Sequence, residues 1–108
     1  MINADRTLDA LGDPTRRLVF KRLRTGNRSV TEIARGLEVS RPAVSQHLRV
    51  LKTAGLAVVR VEGRRRLYAI DTRGIEALRR WLDGFWDKAL VAFMDAAERE
   101  AARERRAR

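Results

Sequence analysis

Residues 40–56 place short hydrogen-bonding side chains and guanidinium groups on one face of a helix and aliphatic groups on the other. Val44, Leu48, Leu51 and Gly55 recur at helical spacing and make the apolar face. Arg41, Pro42, Ser45, Gln46 and Arg49 make the opposite face, which carries no carboxylate and no large apolar group. Such a face suits the base edges and phosphates of a major groove. The Gln46 amide can pair bidentately with adenine and is the best candidate for direct base reading. Arg41 can read guanine or bind phosphate, and Ser45 can contact either. Arg49, further along the helix, is expected on a phosphate. Ser40 can accept a hydrogen bond from an unpaired N–H at the helix start. Pro42 fits the first turn, where a missing N–H costs little. His47 is the single histidine. With no partner for ligation or catalysis, it is expected to bond a phosphate or make a local contact.

Directly after this helix, residues 58–62 and 66–70 read as two strands rich in β-branched and aromatic side chains. Gly63-Arg64-Arg65 joins them as a glycine-containing hairpin turn. A two-stranded ribbon with a basic tip in this position is a wing. Arg64 and Arg65 are expected to reach the DNA backbone or an adjacent minor groove. Arg66 extends the basic tip onto the second strand, Arg60 flanks it, and Tyr68 is expected to pack the ribbon.

The elements upstream must hold that helix in place. Residues 2–11 predict a short helix with Ile2, Leu8 and Leu11 as apolar contacts. Asp13 and Pro14 are a good cap and first residue for a second helix running to about Arg24, its buried stripe being Leu18, Val19 and Leu23. Ser29 and Glu32 fit a capping box at the start of a third helix, with Val30, Ile33, Ala34 and Leu37 as its apolar face. Short helix, tight turn and polar-faced helix make a helix-turn-helix.

Charge supports the same assignment. The chain of 108 residues carries 24 basic and 14 acidic side chains, a formal +10. Residues 40–66 alone hold seven basic residues against one acid, Glu62. An excess concentrated there points to a polyanion, double-stranded DNA. The absence of cysteine excludes disulfides and thiolate metal sites. No apolar run spans a bilayer, so no membrane role is expected. No charged-then-apolar leader opens the chain, so a cytoplasmic location is expected.

A last helix, capped by Asp71 or Thr72, is expected from about Arg73 past Ala97. Ile75, Leu78, Leu82, Phe85, Trp86, Leu90, Phe93 and Ala97 form a stripe longer than a core this small can cover, with Trp81 and Met94 widening it. Residues 1–97 are therefore read as one DNA-binding and dimerisation domain, and 98–108 as a charged tail that frays. The expected fold is mainly α with a two-stranded β-wing: a winged helix-turn-helix that forms a homodimer through its first and last helices. Ile2, Leu8, Leu11, Leu78, Leu82, Phe85, Trp86, Leu90 and Phe93 are assigned to that interface.

These segments together resemble one family. Ala10-Leu11-Gly12-Asp13-Pro14-Thr15-Arg16-Arg17, Ser29-Val30-Thr31-Glu32-Ile33-Ala34, the run 40–51, Ala54-Gly55-Leu56 and the run 63–68 are similar, in this order, to the ArsR (ArsR/SmtB) family of bacterial transcriptional regulators. The resemblance covers about residues 5–90. It implies a homodimeric winged helix-turn-helix built on the first and last helices. It also implies a repressor that leaves its operator when an effector binds. Many members sense metals through cysteines or through Asp/His/Glu sets on the last helix. This chain has no cysteine, and its last helix offers Asp83, Asp87, Asp95 and Glu98 without histidine. Borderline metals prefer nitrogen or sulfur ligands, so no metal or other cofactor is expected. Residues 81–88 resemble a branch that does not sense metals, leaving a small molecule or a protein as effector.

The reading is thus a sequence-specific regulator, a dimeric repressor of a palindromic operator. The alternative is a nucleoid-type DNA-binding protein without strong sequence preference, against which Ser45 and Gln46 argue mildly. An enzyme is not expected: there is no phosphate-binding glycine loop and no paired acid and base.

Overall fold

The computed structural model describes residues 1–108. Its contacts cluster into two units, Met1–Leu78 and Arg79–Arg108.

The first unit holds four helices, a wing and the start of a fifth helix. Helix α1, Ala4–Ala10, is capped by Asn3, whose side chain accepts from the Arg6 N–H. Helix α2, Pro14–Arg22, is capped by Asp13 in the same way and begins at Pro14. A 3-10 turn, Leu23–Thr25, ends it two residues short of the expected helix. Helix α3, Val30–Ala34, opens on the predicted capping box, with Ser29 and Glu32 each satisfying the other's backbone N–H. Arg22 closes α3 from outside by donating to the carbonyls of Ile33 and Arg35. Helix α4, Arg41–Thr53, follows Ser40 as its cap.

Strands β1, Ala57–Glu62, and β2, Arg65–Ile70, pair antiparallel from Ala57↔Ile70 to Glu62↔Arg65. The connecting loop is therefore Gly63-Arg64, one residue shorter than expected. Gly63 has φ +61 and no other residue of the turn has positive φ, the type II′ pattern that suits the strands' twist. Arg28 adds a bridge to the free edge of β2, exchanging backbone hydrogen bonds with Tyr68 at 2.9 and 2.7 Å. A lone bridging residue has no periodicity, so the sequence could not announce it.

The core gathers Val19, Leu23, Ile33, Val44, Leu48, Leu51 and Leu56, all essentially without solvent contact. Every helix from α2 to α4 and the base of the wing thus meet on one apolar cluster, which fixes the rotation of α4. Leu18, expected in that stripe, is half exposed, because the turn of α2 that faces α4 presents Val19 and Leu23 instead.

Helix α5, Thr72–Ala107, starts with Asp71 accepting from the Arg73 N–H. Its second part, beyond Leu78, belongs to the second unit. Residues 98–107, expected to fray, are helical here. They are alanine, arginine and glutamate, all strong helix formers, and Arg103 lies 3.6 Å from Glu100 one turn away. No helix is long and apolar enough to cross a membrane.

Candidate nucleic-acid interface

Burial of Val44, Leu48 and Leu51 on one side of α4 leaves Arg41, Pro42, Ser45, Gln46 and Arg49 exposed on the other. The 3.6-residue period makes the second statement follow from the first. Ser40 is exposed too, and its hydroxyl accepts from the Ala43 N–H at 3.2 Å. Ser40 therefore serves the helix start, leaving its hydroxyl proton free for a further acceptor. Arg41 Nη1 is 3.4 Å from the Thr31 hydroxyl, which links the first turn of α4 to α3.

His47 is placed apart from this group. It is half-buried, and its Nδ1 is withdrawn from solvent without a hydrogen-bond partner. Asp13 is held below the ordinary carboxylate range mainly by the Arg16 N–H, with a smaller contribution from the charge of His47. This favours the local-contact reading of His47.

The three tip arginines divide. Arg64 occupies the loop and is exposed. Arg65 shares its strand face with buried Leu67, because side chains alternate along a strand. It folds back to Glu32, with Nη2 3.1 Å from Oε1. Arg66 points to the other face and is exposed. Glu32 is in turn held below the ordinary carboxylate range, first by hydrogen bonds from Ser29 and then by the charge of Arg65. Sequence reading missed this pair, since 33 residues separate its members.

The residues assigned to self-association also divide. Ile2 is half-buried over Gly55 of its own chain, close enough that a Cβ on Gly55 would meet its Cδ1 at 2.5 Å. Leu11 packs against the core, and Leu78 is half-buried. Leu8, Leu82 and Leu90 are exposed, and so, more fully, are Phe85 and Trp86 at 66% and Phe93 at 70%. Trp81 and Phe85 stack with ring centroids 6.2 Å apart. Ile2 and Leu11 are thus partly covered within their own chain.

No three histidine, aspartate or glutamate side chains converge to hold a metal ion.

Comparison with known proteins agrees with this geometry. Residues 13–58, from the cap of α2 into β1, match the family described as "Bacterial regulatory protein, arsR family". The chain is 51% identical to the HTH-type transcriptional regulator Rv2034 of Mycobacterium tuberculosis over 89% of its own length and 90% of that protein. It is 30% identical to the transcriptional repressor SdpR of Bacillus subtilis over 73% of its length and 88% of that protein. Among solved structures it resembles the homodimeric winged helix-turn-helix DNA-binding domain of a possible ArsR-family regulator from Mycobacterium bovis. That match has a TM-score of 0.62 and 28% identity, covering 78% of each chain. With the capped α3–α4 pair, the exposed face of α4 and the basic hairpin, these matches establish that the chain is a winged helix-turn-helix, DNA-binding transcriptional regulator of the ArsR family.

Proposed function

We propose that this regulator is a homodimeric repressor of an inverted-repeat operator, acting in the cytoplasm. The observation that carries the proposal is the exposed Arg41, Pro42, Ser45, Gln46 and Arg49 face of α4, backed by a buried aliphatic stripe. Gln46 reads a base edge, Arg41 and Ser45 contact base or phosphate, and Arg49 binds phosphate. Arg64 and Arg66 hold the flanking backbone, and Arg65 joins them when it exchanges Glu32 for a phosphate. One such helix reads few base pairs, so two copies related by a two-fold axis bring specificity into a useful range.

Leu8 and the exposed α5 side chains Leu82, Phe85, Trp86, Leu90 and Phe93 are the surface a second copy buries. Aromatic groups of this size suit an interface centre. A related regulator forms a homodimer and another is a repressor, which supports both parts of the reading. Residues 1–97 then hold the DNA-binding and dimerisation surfaces. Release is set by an effector, a small molecule or a protein.

Selection of bound fragments from genomic DNA by the purified protein tests the proposal. An inverted repeat with half-sites about 10 base pairs apart, centre to centre, is expected. Enrichment without a shared repeat would show nucleoid-type binding instead.

A further inference from the structure

A second group of guanidiniums lies beside the outer face of α4. A cavity of about 340 Å³ opens where α1 and the first turn of α2 meet the C-terminal half of α4. Arg6, Arg16 and Arg49 line it against a single carboxylate, Asp9, while Val50 and Ala54 contribute apolar wall. The Nη1 of Arg16 donates to the Ala10 carbonyl at 3.1 Å, which fixes the guanidinium in place. The Nε of the same group is withdrawn from solvent, so Arg16 gives the cavity wall its positive charge and its outer nitrogens rather than this donor.

Three forked donors against one competing carboxylate select an anion, and a planar carboxylate matches the fork. The apolar wall favours an anion with a hydrocarbon body over a bare inorganic one. Arg49 belongs to two surfaces, since it closes the outward Pro42–Gln46–Arg49 stripe and also borders the cavity. On α1, Arg6 lies across the helix from Leu8, so burial of Leu8 by a second copy uses the other side of α1.

We propose that this cavity binds a small monocarboxylate with an apolar body, and that its occupancy weakens operator binding by drawing Arg49 from phosphate to ligand. The coupling rests on the assignment of Arg49 as a phosphate contact. The cavity itself does not.

Isothermal titration of the full chain without DNA, at constant ionic strength, uses benzoate, its neutral isostere benzamide, and inorganic phosphate. Benzoate should saturate a site that benzamide does not fill and that phosphate fills at least about tenfold more weakly. Arg6→Gln should weaken benzoate about tenfold, whereas Asp9→Asn, which removes the competing charge, should strengthen it about threefold. A misfolded variant cannot produce that second change. Absence of saturable benzoate binding overturns the proposal, as does equal binding of benzamide or phosphate, or the opposite sign in either variant. In a separate measurement, fluorescence anisotropy on the selected repeat, saturating benzoate should weaken operator binding about tenfold. Benzoate binding without that effect overturns the coupling. Failure to find any preferred repeat counts against the α4 assignment alone, because the DNA-free titration is independent of it.

Discussion

Arg65 Nη2 lies 3.1 Å from Glu32 Oε1, and the same oxygen accepts from the Ser29 hydroxyl at 3.0 Å and the Ser29 N–H at 3.2 Å. One carboxylate oxygen thus closes the cap of α3 and tethers the wing to the helix-turn-helix. The two functions differ in strength. The Arg65 side chain is 66% exposed, so the ion pair is worth only about 0.2–1 kcal/mol. Such a pair orients the hairpin yet releases Arg65 cheaply when a phosphate competes.

Glu32→Ala should cost about 1 kcal/mol, chiefly through the lost bond to the Ser29 N–H, while the Ser29 hydroxyl still accepts from the backbone N–H of residue 32. Arg65→Ala should cost less than half of that. A double-mutant cycle by urea unfolding should give a coupling below about 1 kcal/mol. A larger coupling would show that the tether, not the cap, dominates.

Asp13, Glu32 and Asp71 are all held below the ordinary carboxylate range. The causes, in the same order, are chiefly the Arg16 N–H, the hydrogen bonds from Ser29, and the Arg73 guanidinium. A folded-state value below the unfolded one means that the unfolded chain binds more protons. The resulting stabilisation is complete above the unfolded value of about 4 and is lost as pH falls through the lowered one. Unfolding midpoints measured from neutral pH downwards should therefore be flat and then drop below about pH 4. Glu32→Gln should make the drop shallower.

Gln46→Ala should relax preference at one base position, a discrimination of about 1–3 kcal/mol. Arg64→Ala should instead weaken all sequences alike and lower the salt slope of binding by about one. Anisotropy titrations on matched and mismatched repeats at several salt concentrations separate the two. A uniform loss with Gln46→Ala would remove its base-reading role.

Two glycines of α5 should respond with opposite signs. A Cβ on Gly74 would meet the Gly55 carbonyl oxygen at 2.7 Å and the Ala54 carbonyl oxygen at 3.0 Å, backbone atoms that cannot step aside. Gly74→Ala should destabilise by about 1–3 kcal/mol. Gly84 has nothing within 4 Å, so Gly84→Ala should stabilise by about 0.5–1 kcal/mol through helix propensity. Thermal melts of the two variants decide this.

Trp86→Glu should convert a dimer to a monomer in sedimentation velocity while leaving the α1–α4 core folded, because Trp86 is exposed within one chain. The variant should also lose affinity for the full repeat far more than for a half-site. An unchanged sedimentation coefficient would remove the α5 stripe from the interface.

Much of this molecule is written in local patterns. Ser29 with Glu32, Asp13 with Pro14, and Ser40 with Pro42 mark helix starts through side chains that act within one turn, so each is legible in a stretch of four residues. The period of Val44, Leu48 and Leu51 announces both the buried side of α4 and the outward side that carries Gln46. Gly63 between two short runs of β-branched and aromatic residues announces the wing. Helix propensity is legible in 98–107 too, where alanine, arginine and glutamate continue α5.

What the sequence determined by itself is the order and type of the elements, the outward face of α4 and the family, because caps, periods and turn residues are short-range. Only the tertiary structure decided how one wing arginine folds back on Glu32, how Arg28 joins the β2 edge, and how the Nδ1 of His47 is withdrawn from solvent. It also decided that Ile2 covers Gly55 rather than standing free, and that Arg6, Arg16 and Arg49 line one cavity. Most of these relationships join residues far apart in the chain, and all depend on how the helices pack. That packing follows from the shared burial of many side chains at once, which no single segment encodes.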